Sequence, residues 1–355
     1  MFLVRMFLVL IGLVVGLLGC VGPIVHEMTT DYPATVLNVV KTPPPIDGRE
    51  RFRKIFCQVL AEEPEFQPFG ECEQFLLRLN DEPLPHSPLQ PKPNLNFRYR
   101  VMIVPGFLNE CFAEIALPFE DAMTSLNDPR FSFVKLIVSG VSDNDANASH
   151  IAESIEKLDL DQNEKLILIG HSKGAVDILH FLVNFPHMAR RVAAVVSVAG
   201  AINGSRLADR ATDFFGIWEW AILSKRCETK EGLALDSLRP AVSMSWLANN
   251  PLPPSVRYFS LVAFTEPDNI NLILQTSYYL LSILDPRNDG LLLINDQIIP
   301  GSTLLGFANA DHLSVVLPLE EKNFLISETV QAKSKFPRKV LLKAMLLYIA
   351  EDLQP

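Results

Sequence analysis

Leu166-Ile167-Leu168-Ile169 is apolar without interruption; Gly170-His171-Ser172-Lys173-Gly174 follows directly; then Ala175 to Val183 carries apolar residues at helical spacing up to Pro186. No other stretch constrains the fold as much. A strand that is apolar at every position is covered on both faces, since a half-exposed strand would alternate. Passing from strand to helix within five residues needs a tight turn in which backbone passes close to backbone, and glycines permit that. Ser172 then sits at the tip of the turn, above a helix N-terminus that favours developing negative charge.

The same grammar recurs along the chain. Val101-Met102-Ile103-Val104 ends at Pro105-Gly106, and further apolar runs cover 133–138, 192–198, 256–264 and about 303–308. Helical periodicity falls near 148–158 and over 338–352. Apolar strands alternating with helices imply an α/β fold, a mostly parallel central sheet with helices on both faces. Of the 355 residues, 48% are hydrophobic and 20% charged, which excludes a disordered chain. The net charge is -10 and no basic block offsets it, so a nucleic-acid partner is not expected.

The N-terminus reads differently. The apolar run after Arg5 covers residues 6–18, thirteen residues. That suits a signal-peptide core and falls short of the ~20 residues that span a bilayer. Leu17-Leu18-Gly19-Cys20 resembles a bacterial lipobox, which implies a signal peptide over 1–19 and acylation of Cys20. The chain is then expected at the cell envelope, on the periplasmic side or the cell surface, held to a membrane by its lipid. Export also bears on Cys57, Cys72, Cys111 and Cys227, an even number in an oxidising compartment. Cys57 with Cys72 is the easiest pair, leaving Cys111 with Cys227; four free thiols remain the alternative, because spacing does not fix connectivity.

Residues 20–97 form a Pro-rich extension: 21–98 hold 12 of the 26 prolines. Two short helices are expected there, about 50–61 and 71–80, packing on a main domain that spans 98–355.

A serine nucleophile needs a base. Of the seven His, only His312, in Asn309-Ala310-Asp311-His312-Leu313, follows a late strand. In enzymes with such a turn the acid lies between serine and histidine in chain order. Asp289 in Asn288-Asp289-Gly290 is the first candidate, Asp268 the second and Asp285 the third. Two backbone N–H groups should hold the oxyanion, one from Lys173 and one from Phe107 in the loop after Val104. The Lys173 side chain is expected at the surface in solvent, and His171 is expected to point elsewhere. No Cys–His cluster has zinc spacing, and neither a metal nor a cofactor is expected.

Pro105-Gly106-Phe107, the Gly170–Gly174 turn, Asn288-Asp289-Gly290 and Asp311-His312 resemble the α/β-hydrolase superfamily, in its bacterial lipase and esterase branch. The segment from Leu235-Asp236-Ser237-Leu238 through Trp246-Leu247-Ala248 to Arg257-Tyr258-Phe259-Ser260 is similar as well. Pro105 departs from the histidine that often precedes the oxyanion glycine in such lipases. The resemblance implies a serine hydrolase acting on carboxylic esters of lipids or other acylated molecules through an acyl-enzyme. Thioesterase, amidase and acyltransferase chemistry on the same fold stays open, as does a non-catalytic envelope lipoprotein that uses the fold for binding. Residues 201–255, with Phe214 to Leu223 at their centre, are expected to cap the site; a helix that packs on the core is the alternative. The sequence leaves the oligomeric state open.

Overall fold

The computed structural model describes residues 44–79, 82, 98–107, 117–136, 138–161, 164–210, 233–318 and 336–353. Cys20, Cys111, Cys227 and the Phe214–Leu223 stretch lie outside them.

Eight strands form one sheet: β1 (Ile46–Asp47), β2 (Leu76–Leu77), β3 (Arg98–Val104), β4 (Phe131–Lys135), β5 (Glu164–His171), β6 (Val192–Val198), β7 (Arg257–Phe264) and β8 (Thr303–Asn309). The order is β1-β8-β7-β6-β5-β3-β4, parallel throughout, with β2 antiparallel on β8. The central strands are apolar throughout because each buries two faces. Val101, Ile103, Ile167 and Ile169 point into one layer, and Met102, Val104, Leu166 and Leu168 into the other. The first layer is covered by α1 (Arg49–Ala61), α3 (Glu120–Ser125) and α10 (Arg338–Asp352). The second is covered by α4 (Asn144–Glu156) and α5 (Lys173–Asn184). This is the mostly parallel α/β arrangement that the strand–helix alternation implied.

The extension is woven into the sheet. β1 pairs with the start of β8, and β2 with its end, Leu76 opposite Ala308. Cys57 of α1 and Cys72 of α2 (Cys72–Phe75) form a disulfide with Cα atoms 5.3 Å apart. The helix expected over 71–80 stops at Phe75. Pairing with β8 satisfies the backbone of Leu76 and Leu77 and buries Leu76, which outweighs one more helical turn.

The described parts of the 201–255 excursion pack inward. Beyond the short helices α6 (Pro186–Ala189) and α7 (Leu233–Ser237), α8 (Pro240–Asn249) lays Trp246 flat on His180 of α5, ring centroids 3.8 Å apart and 9° from parallel. His180 Nδ1 meets Asp145 at 2.7 Å, so the ring is held on both sides. No helix among the described residues is long and apolar enough to cross a membrane.

Candidate active site

Ser172 caps α5 with φ 54° and ψ -127°, a conformation that costs a non-glycine residue about 1–3 kcal/mol. Its backbone is fixed from both sides: its N–H donates to Val198 O at 3.3 Å, and its carbonyl accepts from the N–H of Ala201 at 3.1 Å. The glycines explain the tightness. A Cβ on Gly174 would fall 2.3 Å from Val104 O, and one on Gly106 would fall 2.6 Å from the Ser172 Cβ. The loop after β3 therefore lies against the serine, with Phe107 next in line. The Lys173 N–H belongs to the first turn of α5, whose amides have no partner within the helix.

The Lys173 side chain is not in solvent. It is fully buried, and Nζ meets Asp177 Oδ1 at 2.6 Å one turn along α5. Asp177 Oδ2 accepts from Asn147 Nδ2 of α4 at 2.8 Å, and the same amide reaches Ser139 O. The surface expectation fails because α4 covers this face of α5, so the ammonium needs a buried partner. Burial pushes the Asp177 carboxyl up to about 6, with Lys173 and Asn147 opposing the rise.

His312 and Asp289 come together. His312 Nδ1 lies 2.7 Å from Asp289 Oδ2, and the His312 N–H donates to the Asp289 carbonyl at 2.8 Å. Both residues are buried. Asp289 Oδ1 accepts the N–H groups of Leu291 and Leu292 at 2.8 and 2.7 Å, which fixes the carboxylate in its turn. With a proton on Nδ1 facing the carboxylate, Nε2 of the neutral ring keeps a lone pair to accept one. Asp268 is exposed in a 3-10 turn, and Asp285 is engaged by Arg287 at 2.7 Å; neither meets His312.

Two neighbours hold the histidine, and the expectation that His171 points elsewhere fails because β5 and the loop after β8 bring its ring onto His312. His171 packs on His312, ring centroids 4.7 Å apart, and its Nε2 donates to the His312 carbonyl at 2.9 Å. Burial, with His312 adding to it, holds the His171 ring well below its ordinary value and so neutral. Asp311 knots the loop from below: Oδ1 accepts from Leu313 N and Ser314 N, and Oδ2 from Asn271 N and Nδ2. Nothing local in the sequence announces these contacts, since His171 and His312 are 141 positions apart.

A further buried acid stands close by. Asp296, in the 3-10 turn Ile294–Gln297, has one oxygen, Oδ2, without a hydrogen-bond partner among the described residues. Arg206 Nε approaches it to 3.8 Å. Burial pushes the carboxyl up to about 7, Arg206 works against that, and Asp289 adds to it. Among the described residues no group of three His, Cys, Asp or Glu could hold a metal ion.

A strained serine on a strand–helix turn, a buried His–Asp pair and an amide-bearing loop beside the serine suit acyl transfer. No protein-family model matches the chain. A metagenomic carboxyl esterase of known crystal structure is 37% identical, with a TM-score of 0.80 over 92% of this chain and 97% of that one. The mature form of a Bacillus licheniformis lipase superposes with a TM-score of 0.50 at 20% identity, over 64% of this chain and 89% of the lipase, a likeness of fold. A triacylglycerol lipase of Pseudomonas fragi is 31% identical over 120 residues, a stretch that covers 33% of this chain and 39% of the lipase. The chain belongs to the carboxyl esterase family of the α/β-hydrolase fold.

Proposed function

We propose that the chain hydrolyses carboxylic esters through an acyl-enzyme on Ser172. The observation that carries this reading is the buried His312–Asp289 pair, 2.7 Å apart, joined to the strand end before Ser172 by the hydrogen bond from His171 to the His312 carbonyl. Ser172 Oγ attacks the ester carbonyl and gives its proton to His312 Nε2. Asp289 holds the ring and stabilises the imidazolium. The N–H groups of Lys173 and Phe107 face the oxyanion. Collapse of the tetrahedral intermediate expels the alkoxide, which leaves as the alcohol with the proton from His312. Water then attacks the acyl-enzyme by the same steps and releases the carboxylic acid.

The chain works at the cell envelope, exported by residues 1–19 and anchored through acyl groups on Cys20. The run of thirteen apolar residues ahead of Gly19-Cys20 supports this part, and the substrates that match such a location are acylated molecules of a membrane. The chemistry is tested with a fluorophosphonate probe: labelling is expected on Ser172 and lost in Ser172→Ala, and equal labelling of the variant would sink the reading. Mass spectrometry of the mature N-terminus tests the anchor, which fails if Met1 is retained unmodified.

A further inference from the structure

Seven large apolar side chains are exposed among the described residues, and five of them fall on one short segment: Leu272, Tyr279, Leu280, Ile283 and Leu284. The segment runs through a 3-10 turn (Leu272–Leu274) into α9 (Gln275–Ser282). From Asn269 to Leu284 it holds no Lys, Arg, His, Asp or Glu. Its inner face, Leu274, Tyr278 and Leu281, is buried in the core. Its outer face is uncharged and mostly apolar, with Ile283 75% and Leu284 64% exposed and Thr276 the exposed polar side chain among them. A surface helix of a water-facing protein has a polar outer side, so an apolar one marks a contact surface.

The segment is also fastened to both loops of the site. Asn271 donates through its N–H and Nδ2 to Asp311 Oδ2, at 2.9 and 2.6 Å, one residue before His312. Asn288 Nδ2 donates to Ser282 Oγ at 3.1 Å, one residue before Asp289. Leu274 packs directly beneath Gly290, within 2.9 Å of where a Cβ would stand.

We infer that the outer face of 272–284 is the surface by which the enzyme docks on a lipid layer, seating the catalytic loops over the esters that the layer contains. The inference rests on the ester-hydrolase reading and on the anchor at Cys20. A face without charge suits the apolar region just below neutral head groups, and Tyr279 suits its boundary with water. The patch offers on the order of 500 Å², short of the ~800 Å² per partner that a stable dimer needs. The 25 residues from Val21 to Pro45 span at most ~85 Å, enough slack for an anchored domain to lay this face on the same membrane.

The test uses the mature chain from Val21 on, which lacks the acylation site and the apolar 6–18 run and keeps every described residue. Flotation with phosphatidylcholine vesicles is expected to carry the protein upward, equally in low and high salt. The further triple variant Leu272→Ser, Ile283→Ser, Leu284→Ser is expected to lose at least about tenfold of that partition. Its hydrolysis of water-soluble p-nitrophenyl acetate should match that of its parent, which shows that the fold and site are intact. Equal flotation of both proteins overturns the proposal. So does a patch that holds two copies of the chain together: a dimer in sedimentation that the triple variant dissolves, without vesicle binding by either. An absence of p-nitrophenyl acetate hydrolysis in both proteins would refute the ester-hydrolase reading, while flotation still reports on the surface.

Discussion

His171 donates its Nε2 hydrogen to the main-chain carbonyl of His312 and packs against its ring, so the residue before Ser172 positions His312, the base of the proposed mechanism. The ring is held neutral by burial, and the donor hydrogen persists across the working pH range. His171→Leu removes one buried hydrogen bond worth about 1–1.5 kcal/mol, so kcat should fall roughly tenfold. KM for a small ester should change little. His171→Gln, which keeps a donor, should recover part of the loss. Steady-state kinetics on the three proteins checks this, and a change confined to KM would show that His171 acts on binding.

Asp289 and Asp268 should separate sharply. Asp289→Asn leaves the His312 ring without an acceptor for its Nδ1 hydrogen, and kcat should drop on the order of 10⁴-fold. Asp268 is exposed and away from the pair, so Asp268→Asn should leave kcat within about twofold of wild type. Single-turnover rates on an activated ester measure both.

The buried pair Lys173–Asp177 holds the first turn of α5, directly after Ser172. Asp177→Asn leaves an ammonium without its counter-ion, a loss of about 3–5 kcal/mol in stability. Lys173→Met with Asp177→Leu removes both charges and should restore most of it, since Asn147 keeps its bond to Ser139. Urea unfolding of the two variants distinguishes an ion pair that anchors the turn from side chains that merely fill space.

Asp296 gives stability a definite pH slope. Its carboxyl stands at 3.8 before burial and at about 7 after it, so between those values the folded chain binds a proton that the unfolded chain does not. Stability from this group is therefore fully present at low pH and falls as pH rises through the window. Asp296→Asn removes that decline. The variant should match wild type near pH 4 and exceed it on the order of 4 kcal/mol near pH 8, the attraction of Arg206 being already contained in the value of about 7. Thermal melts at the two pH values read the difference, and parallel curves would rule the slope out.

The sheet was legible because parallel strands bury two faces, and Leu166 to Ile169 or Val192 to Val198 can hardly be read otherwise. Ser172, His312 and Asp289 were legible from a five-residue pattern, chain order and one turn. What escaped was set by contacts distant in sequence. Phe75, Leu76 and Leu79 show helical spacing, yet β8 draws Leu76 and Leu77 into a strand. His171 meets His312 only once β5 and the loop after β8 are adjacent. Lys173 could have been read better: an acid four positions on, within an otherwise apolar helix, is the spacing of an ion pair.

The strand made first in this sheet, β1, has as its partner the strand made last, Ile46 lying opposite Thr303, 257 positions on. This edge of the sheet therefore cannot close until β8 has been made. A chain cut before β8 leaves β1, β2 and the Cys57–Cys72 disulfide between them without the strand that they pair with. Two residues, Ile46 and Asp47, thus tie the start of the sheet to its last strand, so that this edge forms late in any order of assembly.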